Sequence, residues 1–160
     1  MPQTRIEIDI ACQRLHLFSG PARRSFIVST AANGPGEQAG SECTPRGRHL
    51  IRAKIGAGQP ENAVFVGRRP TGEIYTPELG RRHPERDWIL SRILWLSGLE
   101  PGRNRLGAVD TMRRYIYIHG CPDEHELGRP GSHGCIKMRN RDILWLFDQV
   151  EYGTLVEIHE

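Results

Sequence analysis

Two short stretches of this 160-residue chain hold side chains capable of covalent chemistry. They are His119-Gly120, closing RRYIYIHG, and Ser132-His133-Gly134-Cys135 in GSHGCIKM. A cysteine attacks as its thiolate, and a free thiol with a pKa of ~8.5 is only a few per cent ionised at neutral pH. It needs an imidazole to take the proton, or backbone N–H groups to hold developing charge. His133 stands two residues before Cys135 and His119 sixteen before it, joined by CPDEHELGRPG, a loop able to return the chain. Gly134 allows a sharp turn that would aim the N–H groups of Gly134 and Cys135 into one concavity, an oxyanion hole. The spacing leaves open which histidine is the base.

Other roles for these residues compete with the nucleophile reading. A lone cysteine is most often a small buried hydrophobe, and Cys12 and Cys43 are expected to be that. His16, His49, His83 and His159 read as structural or surface residues. The run His119, Cys121, His125, His133, Cys135 lacks the C-x2-4-C or H-x3-5-H pairs of zinc sites, so no metal and no cofactor is expected. An even count of four cysteines permits disulfides without requiring them. Cys121, two residues from His119, either stays inert or pairs with Cys135 under oxidation.

The elements that must position these groups read as mostly β. RIEIDIACQRLHLFSG alternates as a hairpin turning at Ala11–Gln13, and RRSFIVSTA, RHLIRAKIG and NAVFVGR continue as strands. The Gly- and Pro-rich 32–47 and the polar 71–87 read as loops and, by composition, as candidate lids. WILSRILWLSGL is read as a strand feeding the turn EPGRNRLG. In the strand RRYIYIHG a period of two sets Tyr115, Tyr117 and His119 on one face, as a cleft wall, and Ile116 and Ile118 on the core face. One helix follows, with Asn140 as N-cap, Asp142 at the positive end of the dipole, a stripe of Ile143, Leu144, Phe147 and Val150, and Gly153 as C-terminal cap. TLVEIH is a last strand. About eight strands to one helix predict a mainly β, single-domain sandwich or barrel over 1–160.

Composition bounds the function. The mean hydropathy is −0.50, and no stretch approaches the ~18 apolar residues of a membrane span. The start, MPQTRIEIDI, has no apolar signal-peptide core, so the expected compartment is the cytoplasm, or the periplasm if a signal has been removed. Twenty-two basic residues face 19 acidic ones, and only Lys54 and Lys137 are lysines. The arginines are scattered rather than striped with aromatics, which argues against nucleic acid and suits a cleft attracting carboxylates.

These residues reach a known pattern. IHG (118–120), fourteen positions from His119 to His133, and SHGCIKM (132–138) resemble the catalytic motif of the L,D-transpeptidase catalytic-domain family. The first hairpin, FIVSTA, TPRG (44–47), RYIYIHG, LGRPGSHGC and the helix before GTLVEI extend the resemblance over nearly the whole chain. It implies a β-sandwich-like fold and cysteine-dependent acyl transfer on peptidoglycan stem peptides. Cys135 would attack the L-centre carbonyl of diaminopimelate, D-Ala would leave, and the thioester would pass to an amine or to water. The resemblance makes His119 the base, the Gly120 carbonyl its orienting partner, and His133 with the Gly134 and Cys135 N–H groups the oxyanion region. Ser132, Lys137, Tyr117 and Arg139 are expected to contact substrate. Lys137 stands where the motif usually has Arg, turning a bidentate fork into a point charge. The alternatives are a cytoplasmic L,D-carboxypeptidase trimming recycled muropeptides and a non-catalytic peptidoglycan-binding module.

Overall fold

The computed structural model describes residues 3–160. In chain order the elements are β1 (Thr4–Asp9), β2 (Arg14–Ser19), β3 (Ala22–Ser29), β4 (Gly47–Ile55), β5 (Ala63–Val66), β6 (Arg69–Ile74), α1 (Pro77–Arg82), β7 (Ile89–Gly98), β8 (Tyr117–Gly120), β9 (Ile136–Met138), α2 (Asn140–Gln149) and β10 (Leu155–His159). All ten strands form one sheet in the order β4-β10-β1-β2-β3-β9-β8-β7-β5-β6, and β4 also pairs with β7. That extra pairing closes eight strands into a barrel and leaves the β5–β6 hairpin hanging from β7.

The alternation of apolar residues explains the closure. Ile6, Ile8, Leu15, Val28, Ile51, Leu94, Leu96, Ile118, Ile136 and Met138 turn inward and are fully buried with Ile143 and Leu146 of α2. On β7 the opposite face, Ile93 and Trp95, packs outside the barrel with Ala63 and Phe65 of β5 and with Tyr117 of β8. β7 is apolar on both faces there, because the hairpin covers the outer one.

β8 and β9 run parallel, with Ile118 beside Ile136, His119 beside Lys137 and Gly120 beside Met138. The isoleucines enter the core, so His119 and Lys137 project together from the other face.

Several local expectations change. RRYIYIHG is a strand only from Tyr117; Tyr115 has φ +58°, a left-handed turn residue outside the ladder. The stretch 71–87 is not all loop. It contains the end of β6 and all of α1, where Thr76 accepts from the Leu79 N–H at 3.1 Å and Pro77 begins the helix. In α2 the N-cap position belongs to Arg139 and the C-cap position to Val150, so Gly153 lies in the turn beyond the helix. Asn140 is the first helical residue, and its side chain is drawn inward instead. Its Nδ2 donates to the Cys121 carbonyl at 2.8 Å, and its Oδ1 accepts from the Ser91 hydroxyl at 2.6 Å. Leu146, not Leu144, completes the buried stripe. Cys12 is exposed in the first hairpin turn and Cys43 half-buried in a loop, so neither is core filler; all four cysteines are free thiols.

Candidate active site

His119 and Cys135 line one cavity of about 450 Å³ on the outer face of β7, β8 and β9, under the β5–β6 hairpin. Tyr115, Tyr117, Ser132, His133 and Lys137 line it too, so the Tyr/Tyr/His wall forms although Tyr115 reaches it from a turn rather than a strand. Its remaining walls are Gly67, Arg68, Asp87, Ile89 and Arg114, none of them singled out by the sequence.

His119 is 1% exposed, and its Nδ1 lies 2.7 Å from the carbonyl oxygen of Gly120. A carbonyl can only accept, so Nδ1 carries the proton and Nε2 is left with its lone pair. Burial holds the imidazole below its ordinary pKa, opposed by the Gly120 carbonyl and by Asp87. Cys135 lies behind the Ser132–Gly134 turn. Its Sγ accepts from the Tyr117 N–H at 3.3 Å and donates to the Tyr115 carbonyl at 3.4 Å. Burial pushes this thiol up to about 12, against the pull of the Tyr117 N–H and the Arg114 charge. Desolvation disfavours the charged form of both groups, so the resting pair is a neutral thiol and a neutral imidazole rather than an ion pair.

The turn before Cys135 is braced from within. Gly134 has φ +131°, and a Cβ there would meet Ile116 at 3.1 Å and the Cys43 carbonyl at 3.3 Å. The Gly134 N–H donates to the Ser132 hydroxyl at 3.1 Å, and that hydroxyl in turn donates to the Cys135 carbonyl at 2.5 Å. The Gly134 donor expected in an oxyanion pocket is therefore engaged by Ser132. Ser132 itself, expected to touch substrate, spends its hydroxyl inside the turn. Thr44, from the TPRG segment, donates to the Gly134 carbonyl at 2.9 Å. Arg114 adds a second clamp, donating to the Cys43 carbonyl at 2.6 Å and the Gly36 carbonyl at 3.2 Å. The 32–47 loop is thus pinned beside the turn.

His133 is largely exposed at the cavity mouth, 4.0 Å from Asp87. Arg139 does not reach this cavity; it borders a separate depression with Glu61, Asp123 and Arg141, because β9 ends at Met138 and α2 carries the chain away. Cys121 is buried, its Sγ directed at the Met138 carbonyl and its thiol pushed up to about 11 by desolvation. Among the described residues no three His, Cys, Asp or Glu side chains cluster closely enough to hold a metal ion, and no helix is long and apolar enough to cross a membrane.

A profile of the YkuD family, the L,D-transpeptidase catalytic domain, matches residues 3–158. The chain belongs to the L,D-transpeptidase catalytic-domain family. Among curated relatives, "Probable L,D-transpeptidase ErfK/SrfK" of Salmonella typhimurium is 33% identical over 124 residues, 71% of this chain and 39% of the relative. "Probable L,D-transpeptidase YbiS" of Escherichia coli is 43% identical over 44 residues, 28% of this chain and 14% of the relative. The chain thus spans well under half the length of these relatives. L,D-transpeptidase 3 from Mycobacterium tuberculosis, solved with a faropenem-derived adduct, shares the fold at TM-score 0.62 and 14% identity, over 99% of this chain and 61% of that one.

Proposed function

We propose that this L,D-transpeptidase family member catalyses cysteine-dependent acyl transfer on peptidoglycan stem peptides, as one catalytic domain over 1–160. The observation that carries the proposal is the His119 Nδ1 bond to the Gly120 carbonyl, with Nε2 left basic in the cavity that holds Cys135. A general base must be oriented and unprotonated before it can act. His119 has both properties; among the described residues His133, exposed and 4.0 Å from Asp87, is held by no comparable bond.

In the proposed reaction an entering tetrapeptide stem displaces the Cys135 thiol from the Tyr115 carbonyl. His119 Nε2 takes the thiol proton as sulfur attacks the L-centre carbonyl of diaminopimelate. The oxyanion is met by the Cys135 N–H and by His133 at the mouth. His119 returns the proton to the departing amine of D-Ala, leaving a thioester. An amine of a second stem, or water, then attacks that thioester with His119 again as base. Gly120 and Gly134 act through backbone geometry. Ser132 keeps the turn in shape, Tyr117 walls the cavity, and Lys137, beside His119 in the ladder, offers a charge to a substrate carboxylate. Arg139, at the border of a different depression, is given no role in this scheme.

The deciding experiment is incubation with a disaccharide-tetrapeptide, analysed by mass. Tripeptide or cross-linked dimer is expected from the native protein and neither from Cys135→Ala. Undiminished conversion by Cys135→Ala sinks the proposal. The ratio of tripeptide to dimer tells the L,D-carboxypeptidase outcome from transpeptidation.

A further inference from the structure

The β5–β6 hairpin turns on two residues, Gly67 and Arg68, with φ of +57° and +64°. Consecutive left-handed residues make the tight turn whose twist suits a hairpin, and its second position favours glycine or asparagine. Arginine is out of place there by backbone preference, and a non-glycine residue in this region is worth explaining. Its side chain gives the explanation. The guanidinium lies 4.6 Å from the centre of the Trp95 ring and 5.0 Å from that of Tyr115, and it donates to the Tyr117 hydroxyl at 3.0 Å. Three aromatic side chains therefore hold Arg68 over the cavity that contains Cys135.

Among the described residues no carboxylate lies within ion-pair distance of Arg68, and the phenol it touches is kept neutral, since burial raises the Tyr117 pKa. Only one of its five N–H donors is committed to a hydrogen bond. Of the other cations of the cavity, Arg114 spends donors on the Gly36 and Cys43 carbonyls, and Lys137 is a point charge that cannot clasp two oxygens as a planar fork does. The one acid in the lining is Asp87. A planar fork, already oriented by aromatic contacts and unpaired, is built to take a two-oxygen anion.

We propose that Arg68 is a specificity-determining residue that anchors a carboxylate of the donor stem peptide, orienting it for attack by Cys135. The inference rests on the acyl-transfer reading given above. A tetrapeptide stem offers two such groups near the bond to be cut, the terminal carboxylate of D-Ala and the side-chain carboxylate of diaminopimelate.

Binding, measured apart from turnover, tests it. Calorimetric titrations into Cys135→Ala protein, with Arg68 intact or changed to Gly or Lys, would use three disaccharide-tetrapeptides: unmodified, amidated at the D-Ala terminus, and amidated at the diaminopimelate side chain. With Arg68 intact, one amidated ligand is expected to bind about 10-fold or more weakly, the range of a charge-assisted bond. The weaker of the two identifies the carboxylate. In Arg68→Gly that penalty should fall to within about twofold, and Arg68→Lys should restore only part of it. Arg68→Gly suits the turn, and a melting temperature matching that of the Arg68 protein shows that its fold is intact. Equal binding of all three ligands with Arg68 intact, an undiminished penalty in Arg68→Gly, or no binding of the unmodified peptide overturns the inference. Failure of the native protein to convert the tetrapeptide would instead strike at the acyl-transfer reading, and leaves the binding comparison standing on its own.

Discussion

The ionisation of Cys135 decides how the site can work. With the thiol pushed up to about 12 and the imidazole of His119 held down by burial, neither is charged at rest. The thiolate fraction below that pKa then rises about tenfold per pH unit. Alkylation of Cys135 by iodoacetamide, followed by peptide mass mapping to separate it from exposed Cys12, should therefore climb steadily from about pH 6 to pH 10. A plateau around neutrality would mean a preformed thiolate–imidazolium pair and contradict the neutral resting state. The same shift bears on stability. The unfolded thiol releases its proton near its ordinary pKa while the folded one still holds it. The contribution is complete below about pH 8.5 and is lost between there and the folded value. Thermal melting should accordingly show a steeper loss of stability above about pH 9 in the native protein than in Cys135→Ala. His119 and Cys135 were readable from HG and SHGC because both lie in short motifs. Arg68, Arg114 and Asp87 were not: Arg68 and Asp87 reach the cavity from segments far from those motifs, Arg114 from a turn where a strand was expected, and nothing sets the three apart from the other charges of the sequence. Arg68 closes NAVFVGR, a run read as strand ahead of a polar loop, so neither the hairpin turn nor the place of its side chain was visible in the sequence.

Among the elements, β8 leaves no room at Gly120 for a side chain against α2 and β7. A Cβ on Gly120 would run into the Asn140 amide oxygen, and would lie 2.7 Å from the Leu90 carbonyl and 3.2 Å from Ile143. The Gly120 carbonyl that orients His119 is on the same residue, so moving β8 to relieve the clash also moves that imidazole. Gly120→Ala should cost about 2–3 kcal/mol, a drop of roughly 5–10 °C in melting temperature. It should also lower turnover more than peptide binding. A variant as stable and active as the native protein would mean that β8 yields freely there. The strands on either side of this contact could be read from period-two patterning, because each pairs with strands whose inner faces share one core. What patterning could not deliver was the start of β8. Tyr115 and Tyr117 are both strand formers, yet the chain turns at Tyr115, whose carbonyl receives the Cys135 thiol. The six-residue α1 is too short to show a helical period. Its Thr-Pro-Glu start was the sign available, and α1 was read as loop because its neighbours are polar. Asn140 carries the residue type of a cap, but the buried hydroxyl of Ser91 and the Cys121 carbonyl compete for its amide and win.

For the molecule as a whole, the closed barrel depends on its last strand. β10 lies between β4 and β1, antiparallel to the first and parallel to the second. Removing residues 155–160 would unpair both neighbours and expose core positions that Val156 and Ile158 cover. The shortened chain should lose its cooperative thermal transition, seen by circular dichroism; a sharp transition near the native temperature would mean that β4 and β1 can seal the gap alone. This dependence could be expected only in outline from the sequence, which supplied strands and their faces but not which one would lie between β4 and β1. The β5–β6 hairpin leaves β6 as the outermost strand of the sheet, and that strand reads Arg-Pro-Thr-Gly-Glu-Ile. Proline cannot donate to a further ladder, and flanking charges repel an incoming strand. The hairpin that roofs Cys135 is thus also the sheet's guard against self-association, and changes made there to alter what enters the cavity should be chosen so that Pro70, Arg69 and Glu73 are kept, or the protein will trade selectivity for clumping.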